Sequence, residues 1–192
     1  MDPASLEIPE RIESERLVFC PPHLDDARDV NVAVRDSIER LRPWMIWAQH
    51  APTLEETQNF VREAQAKFAA RQELGLQMRR KSDGVLVGMT GFHNIDWAVL
   101  KLEIGYWART HYTGQGYITE AVLRLTEFAF DTLGVNRVEI RMDDPNERSW
   151  RVAERAGFTL EGILRNEERA PSGLLRDTRI YAKVRSVDGS LA

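Results

Sequence analysis

The segment HYTGQGYITEA, residues 111–121, constrains this chain more than any other stretch. It lies between a strand-like run, LEIGYW (102–107), and an amphipathic run ending at Gly134. Gly114 and Gly116 predict a turn whose backbone N–H groups stand clear of side chains. The helix that opens there adds the free amides and partial positive charge of its N-terminus. Strand, glycine turn and helix N-terminus together predict a cradle for a phosphate or pyrophosphate. Two familiar cradles do not fit the letters. A P-loop needs a lysine after its last glycine, and none follows here. A dinucleotide fingerprint needs a third glycine where Thr119 stands, and a first glycine directly after the strand.

Around that segment the apolar periodicity sets out an α/β (α+β) domain. Leu17 to Phe19 reads as a first strand closed by Pro21 and Pro22. Ala27, Val30, Val34, Ile38 and Leu41 recur at helical spacing and predict one helix face. Thr53 and Glu56 form a capping-box pattern for a second helix with Phe60, Val61, Ala64 and Phe68 on its inner face. Leu76 and Met78 alternate with polar residues, and Ser82-Asp83-Gly84 predicts a hairpin into VLVGMTGF (85–92). Leu102, Ile104 and Tyr106 share a face of the strand that leads to the cradle. After it, Ile118, Ala121, Val122, Leu125, Phe128, Ala129 and Leu133 form a helical stripe, capped by Gly134. Val138, Ile140 and Met142 alternate as a strand, Asn146 starts a short helix, and Pro171-Ser172-Gly173 turns a last hairpin. The order predicts a mixed sheet with helices on both faces.

The strings IGYW, GQGYITEA, NERS and AGFTLEG, in this order, resemble the GNAT superfamily of acyl-CoA-dependent N-acetyltransferases. Within it they are similar to the RimJ/RimL branch of ribosomal-protein acetyltransferases. The resemblance runs from Ser14 to about Val184, and its one plain departure is His111, where the family's loop usually has Gln or Arg. It implies a strongly twisted sheet splayed open between central strands, with the acetyl-CoA thioester in the gap. It implies that Thr113, Gly114, Gln115, Gly116, Tyr117, Ile118 and Thr119 bind the pyrophosphate. Tyr106, Trp107 and Ala108 would offer backbone N–H groups to the carbonyl, with Gly105 marking a bulge or close cofactor approach, or else packing on a helix. Ser149 would protonate the departing thiolate, with a local helix cap as its other reading. Asn146 would bind the cofactor, the helix start, or both.

For the base, the resemblance points to Glu168, at the end of the penultimate strand, with Glu103 in the cofactor strand as runner-up. Glu167 faces the other side of its strand from Glu168. Trp44 and Trp47 would line the acceptor pocket, or belong to the core. Arg165, Arg169, Arg176 and Arg179 crowd the last hairpin, either as a solvated face or to receive an acidic acceptor or partner subunit. His23, His50, His93 and His111 share no metal-ligand spacing and read as structural or surface residues, so no metal is expected.

Composition narrows the setting. A chain of 192 residues with 43% hydrophobic and 29% charged content fits one soluble domain spanning 1–192, its core about 11–185. A net charge of −4 gives no footprint for nucleic acid. A single cysteine, Cys20, excludes an internal disulfide and gives no support to a ping-pong thiol route. No signal-like or membrane-spanning run is present in the sequence, so the expectation is a cytoplasmic enzyme. The reading is an N-acetyltransferase moving an acetyl group from acetyl-CoA to a primary amine by direct attack. The expected acceptor is a protein N-terminal α-amine, such as that of a ribosomal protein. The alternatives are a small-molecule amine such as an aminoglycoside or polyamine, and a CoA-binding module without turnover. The family resemblance leaves a homodimer open, dimers being common there.

Overall fold

The computed structural model describes residues 6–185. Five strands make one half of its sheet: β1 (Ile12–Glu13), β2 (Leu17–Cys20), β3 (Leu74–Arg80), β4 (Leu86–Asp96) and β5 (Lys101–Ala108). Each runs antiparallel to the one before it. The other half is β6 (Arg137–Asp143), β7 (Thr159–Arg169) and β8 (Leu175–Val184). The spatial order is β1-β2-β3-β4-β5-β6-β8-β7, and among the described residues the only parallel contact is β5 with β6. The chain needs a long crossover to make that contact, and α4 (Tyr117–Asp131) supplies it.

Helices cover both faces. The larger hydrophobic cluster joins α4 and α5 (Glu147–Arg155) to Phe19, Leu76, Leu102, Ile104 and Ile140. A smaller one joins α1 (Ala27–Arg35) and α2 (Ile38–Leu41) to Leu86 and Met89. The third helix of this side, α3 (Leu54–Ala69), is tied to α1 by Asn31 Nδ2, which donates to Thr57 Oγ1 at 2.9 Å. Its start is the expected capping box: Glu56 N–H donates to Thr53 Oγ1, and Thr53 N–H to Glu56 Oε2. At the far end of α4, Gly134 takes a left-handed φ of 67°, and the next N–H, of Val135, returns to Ala129 O.

Three local expectations change. The stripe from Ala27 to Leu41 is two helices, not one. Buried Ser37 breaks it, and its hydroxyl accepts the Thr110 N–H at 3.0 Å, holding the segment after β5. Phe60, expected inward, is 48% exposed, whereas Val61 and Phe68 are buried. Ile118 is half-buried, and Tyr117 is the residue that enters the core. The short β1 had no signal of its own in the sequence.

Gly75, Gly91 and Gly105 stand side by side on β3, β4 and β5. Their demands differ. A Cβ on Gly91, whose φ is +151°, would lie 2.3 Å from Leu74 O, whereas a Cβ on Gly75 would meet nothing within 4 Å. Gly91→Ala is therefore expected to cost about 2–3 kcal/mol or more, by forcing backbone apart. Gly75→Ala is expected to be neutral or to stabilise by roughly 0.5 kcal/mol, through the unfolded chain. Urea denaturation of the two variants checks both, and equal losses would refute the distinction.

Candidate active site

Parallel pairing of β5 with β6 runs through Lys101↔Arg137, Leu102↔Val138 and Glu103↔Glu139, and then stops. Beyond Glu103 the two strands separate, and a cavity of about 580 Å³ opens between them. The edge of β5 that faces it retains its polar groups. Arg109 N–H donates to Val87 O, so ladder alternation turns Trp107 and Gly105 toward β4. The N–H and C=O groups of Ile104, Tyr106 and Ala108 then point across the gap. β5 itself is unbroken from Gly88↔Ala108 to His93↔Glu103, and the register shift lies between His93 and Asp96. The expected bulge at Gly105 is thus absent. A Cβ there would lie 2.8 Å from the His93 ring, so it is the imidazole that requires the glycine.

At one end of the gap the cradle forms as its letters predicted. Gly114 and Gly116 take left-handed φ values of 76° and 82°, and Gly116 is the N-cap of α4. Backbone N–H groups of residues 114–119 donate to no other described residue. They are the amides that an anion would accept from. The loop is braced from behind by Arg16, which donates to Gln115 O at 3.1 Å and Glu120 Oε2 at 2.6 Å and stacks 4.6 Å from the Tyr117 ring. Burial would raise the Glu120 carboxyl, but bonds from Ser14 and Arg16 hold it below its ordinary value. Thr113 Oγ1 donates to Thr110 O and Thr119 Oγ1 accepts from Arg155, which joins the loop to α5. His111 is exposed, and its carbonyl accepts from Gln115 Nε2.

The opposite wall carries Ser149. Asn146 Oδ1 accepts the Ser149 N–H at 3.3 Å, so the cap of α5 is the asparagine and the serine hydroxyl is left for other work. Tyr106 Oη lies 3.0 Å from Ser149 Oγ and donates to Ser149 O at 3.1 Å. Burial pushes the Tyr106 phenol up to about 12, against the pull of Ser149 and Arg155. It stays protonated at neutral pH and acts as a donor.

The two candidate bases, Glu103 and Glu168, reach the same cavity from different sides, with Glu73 and Asp143 also in its wall. Glu103 is buried, with His93 Nε2 at 3.2 Å from Oε1 and Asn94 Nδ2 donating to Oε2 at 2.9 Å. Burial would raise its carboxyl, yet His93, Asn94 and Arg141 hold it below the usual range. Glu168 is half-exposed and paired with Arg176 at 2.7 Å, which also binds Asp143 at 2.6 Å. Burial pushes the Asp143 carboxyl up while Arg176 draws it down. Glu167 turns away to Arg141. Of the four arginines of the last hairpin, Arg176 and Arg179 are committed to carboxylates, while Arg165 and Arg169 are exposed. Arg176 is sunk between two carboxylates, Arg179 binds Asp144, and Arg169 is turned to Gly173 O.

Trp44 and Trp47 both line the gap, and Trp47 packs 6.2 Å from the Trp107 ring while remaining 50% exposed. The sequence reading missed the side chains of Tyr106 and His93, and Thr178, whose buried Oγ1 in the cavity wall has no hydrogen-bond partner. A signal for His93 was present: it stands opposite Glu103 once the hairpin register is drawn from the turn.

The GNAT acetyltransferase domain family matches residues 16–159. YdaF of Bacillus subtilis (strain 168), provisionally named as a ribosomal N-acetyltransferase, is 35% identical over 144 residues, covering 73% of this chain and 76% of YdaF. The ribosomal-protein-serine acetyltransferase of Escherichia coli is 30% identical over 138 residues, 72% of this chain and 75% of its own length. Among solved structures, the microcin self-immunity acetyltransferase MccE, in complex with acetyl-CoA and AMP, superposes with a TM-score of 0.85. It is 26% identical, with 92% of this chain and 97% of MccE covered. A cradle, an open strand edge and a family match over most of the length converge: the chain belongs to the GNAT acetyltransferases.

Proposed function

We propose that this acetyltransferase moves the acetyl group of acetyl-CoA directly to the α-amine of a protein N-terminus. The observation that carries it is the unpaired edge of β5, with the amide cradle at one end and Ser149 on the facing wall. Acetyl-CoA supplies an activated thioester. Amides of residues 114–119 would hold its pyrophosphate, and the N–H groups of Tyr106 and Ala108 would meet the charge that develops on the carbonyl oxygen. The amine nitrogen bonds to the carbonyl carbon and the C–S bond breaks. Ser149 Oγ–H gives its proton to the thiolate and takes one back from solvent as CoA leaves, with Tyr106 as the positioning residue that fixes the hydroxyl. Cys20 takes no part: it lies on β2, lines neither cavity described here, and burial pushes its thiol up.

For the proton on nitrogen, the geometry favours His93, oriented by Glu103, over Glu168. Contact of Nε2 with Glu103 leaves Nδ1 as the acceptor, the arrangement of a carboxylate–histidine pair. Glu168 has one oxygen taken by Arg176. YdaF and the ribosomal-protein-serine enzyme support a ribosomal acceptor and hence a cytoplasmic setting. A small-molecule amine is the second reading, and MccE, which is in complex with AMP beside acetyl-CoA, supports a small molecule at such a site. No helix among the described residues is long and apolar enough to cross a membrane. Leu160, Ile163, Leu164 and Leu175 are exposed on the β7–β8 hairpin at the sheet edge, which supports a second copy as partner.

Gly116→Val is expected to weaken CoA binding at least tenfold, about 1.4 kcal/mol, by calorimetry. Ser149→Ala should lower kcat at least tenfold with CoA affinity within threefold, and Tyr106→Phe should lower it less. Parental kcat for Ser149→Ala would remove the serine from the mechanism.

The pH dependence separates the bases. The acceptor's own ammonium gives a rising limb near ~8, and a protein base adds a second. His93→Gln should abolish the second limb and Glu168→Gln should retain it. The opposite result returns the role to Glu168.

Light scattering during gel filtration tests the hairpin. Leu164→Glu with Leu175→Glu should convert a dimer to a monomer, and a monomeric parent would discard the partner reading.

A further inference from the structure

On the α1–α3 side of the sheet lies a second cavity, about 540 Å³, with mostly apolar walls and with His50, Glu56, Glu73 and His93 among its lining residues. Its floor is the row Gly75, Gly91 and Gly105, three adjacent strand positions with no side chain to fill the space. Val30 and Val34 of α1 and Met89 of β4 form one wall. Phe60 of α3 and Trp47 close the lip, and about half of each ring is exposed to solvent. The open space above Gly75, where a Cβ would meet nothing within 4 Å, belongs to this chamber.

The chamber is continuous with the catalytic gap. Trp47, Glu73, His93, Gly105, Tyr106 and Trp107 line both. An α-amine placed at that junction beside His93 would have its own side chain, one carbon away, directed into the apolar space. A serine or alanine side chain would leave most of it as water against apolar walls, water occupying about 30 Å³ per molecule. A leucine, methionine or phenylalanine would displace that water, an effect worth on the order of ten- to a hundredfold in affinity. The chamber presents no arginine. Glu56 and Glu73 line it, which disfavours an acidic first residue, in contrast to the expectation drawn from the hairpin arginines.

We propose that the acceptor is a polypeptide whose first residue is bulky and apolar, its side chain seated over Gly75 while its amine meets His93. This rests on the N-terminal α-amine reading above. The test is a series of peptides identical except for a first residue of Leu, Met, Phe, Ser, Ala or Asp, scored by kcat/KM with acetyl-CoA. The bulky apolar termini should exceed Ser and Ala at least tenfold. Gly75→Leu, which builds a side chain into the chamber, should reduce the Leu-to-Ser ratio at least tenfold, with CoA binding by calorimetry as the control for folding. Phe60→Ala, on the exposed lip, should reduce the same ratio if Gly75→Leu fails to fold. Peptides acetylated without regard to the first residue would overturn this proposal and leave the protein-terminus reading standing. Turnover of phenethylamine with every peptide inert would overturn both.

Discussion

The early end of the β5–β6 ladder is the constraint on which the rest depends. Three paired residues bind the two halves of the sheet, and beyond Glu103↔Glu139 the strands separate. An unpaired strand edge inside a protein is costly, because each N–H and C=O must be satisfied. Here the edge opens into a cavity, so water or a ligand can meet those groups. The thioester reading gives them a use: donors fixed by the β4–β5 ladder need no reorganisation when charge develops on a carbonyl oxygen. The separation also lets Ser149, on a helix after β6, face Tyr106, on β5, across the space.

Charge in the site is mostly committed to holding it in shape. Arg16 draws Gln115 O and the Glu120 carboxylate together behind the loop, leaving the amides of residues 114–119 directed outward. Arg176 locks Asp143 at the end of β6 to Glu168 on β7. Both arginines approach more than one acceptor at once, which suits the planar fork of guanidinium and would not suit a lysine. The consequence for recognition is that Arg176 is committed to the frame of the site, and the exposed charge of the hairpin is that of Arg165 and Arg169.

Much of this was legible in the letters, and unevenly. The glycine turn and the helix it opens follow from Gly114 and Gly116, whose left-handed conformations a Cβ would oppose. The capping box at Thr53, the alternation of Val138, Ile140 and Met142, and the final hairpin are local patterns, and local patterns survive folding. The split between α1 and α2 was not legible. It depends on Ser37 meeting the Thr110 N–H, a contact between residues far apart in sequence. The His93–Glu103 pair was obscured for the same reason: it is a cross-strand neighbour, visible only after register is assigned. The role of Gly105 inverted, since the glycine makes room for a ring on β4 instead of marking a bulge. The partners of Arg176 and Arg179 were not legible either, because composition shows charge and not what it pairs with.

The two sides of the sheet carry different mechanical burdens. The α4–α5 side holds the larger core, with Leu125, Phe128 and Ala129 fully packed against Leu102 and Ile104. A helix seated that firmly fixes its N-terminus, and the cradle is built on that N-terminus. The α1–α3 side has a small core and leaves the glycine row uncovered. Side chains there can change the chamber without touching the cradle, because no residue of the 111–119 loop lines the chamber. On the proposed reading, a fold arranged this way would hold the acyl donor on one side and select the acceptor on the other. The strand between them supplies its edge to the chemistry and its face to the selection.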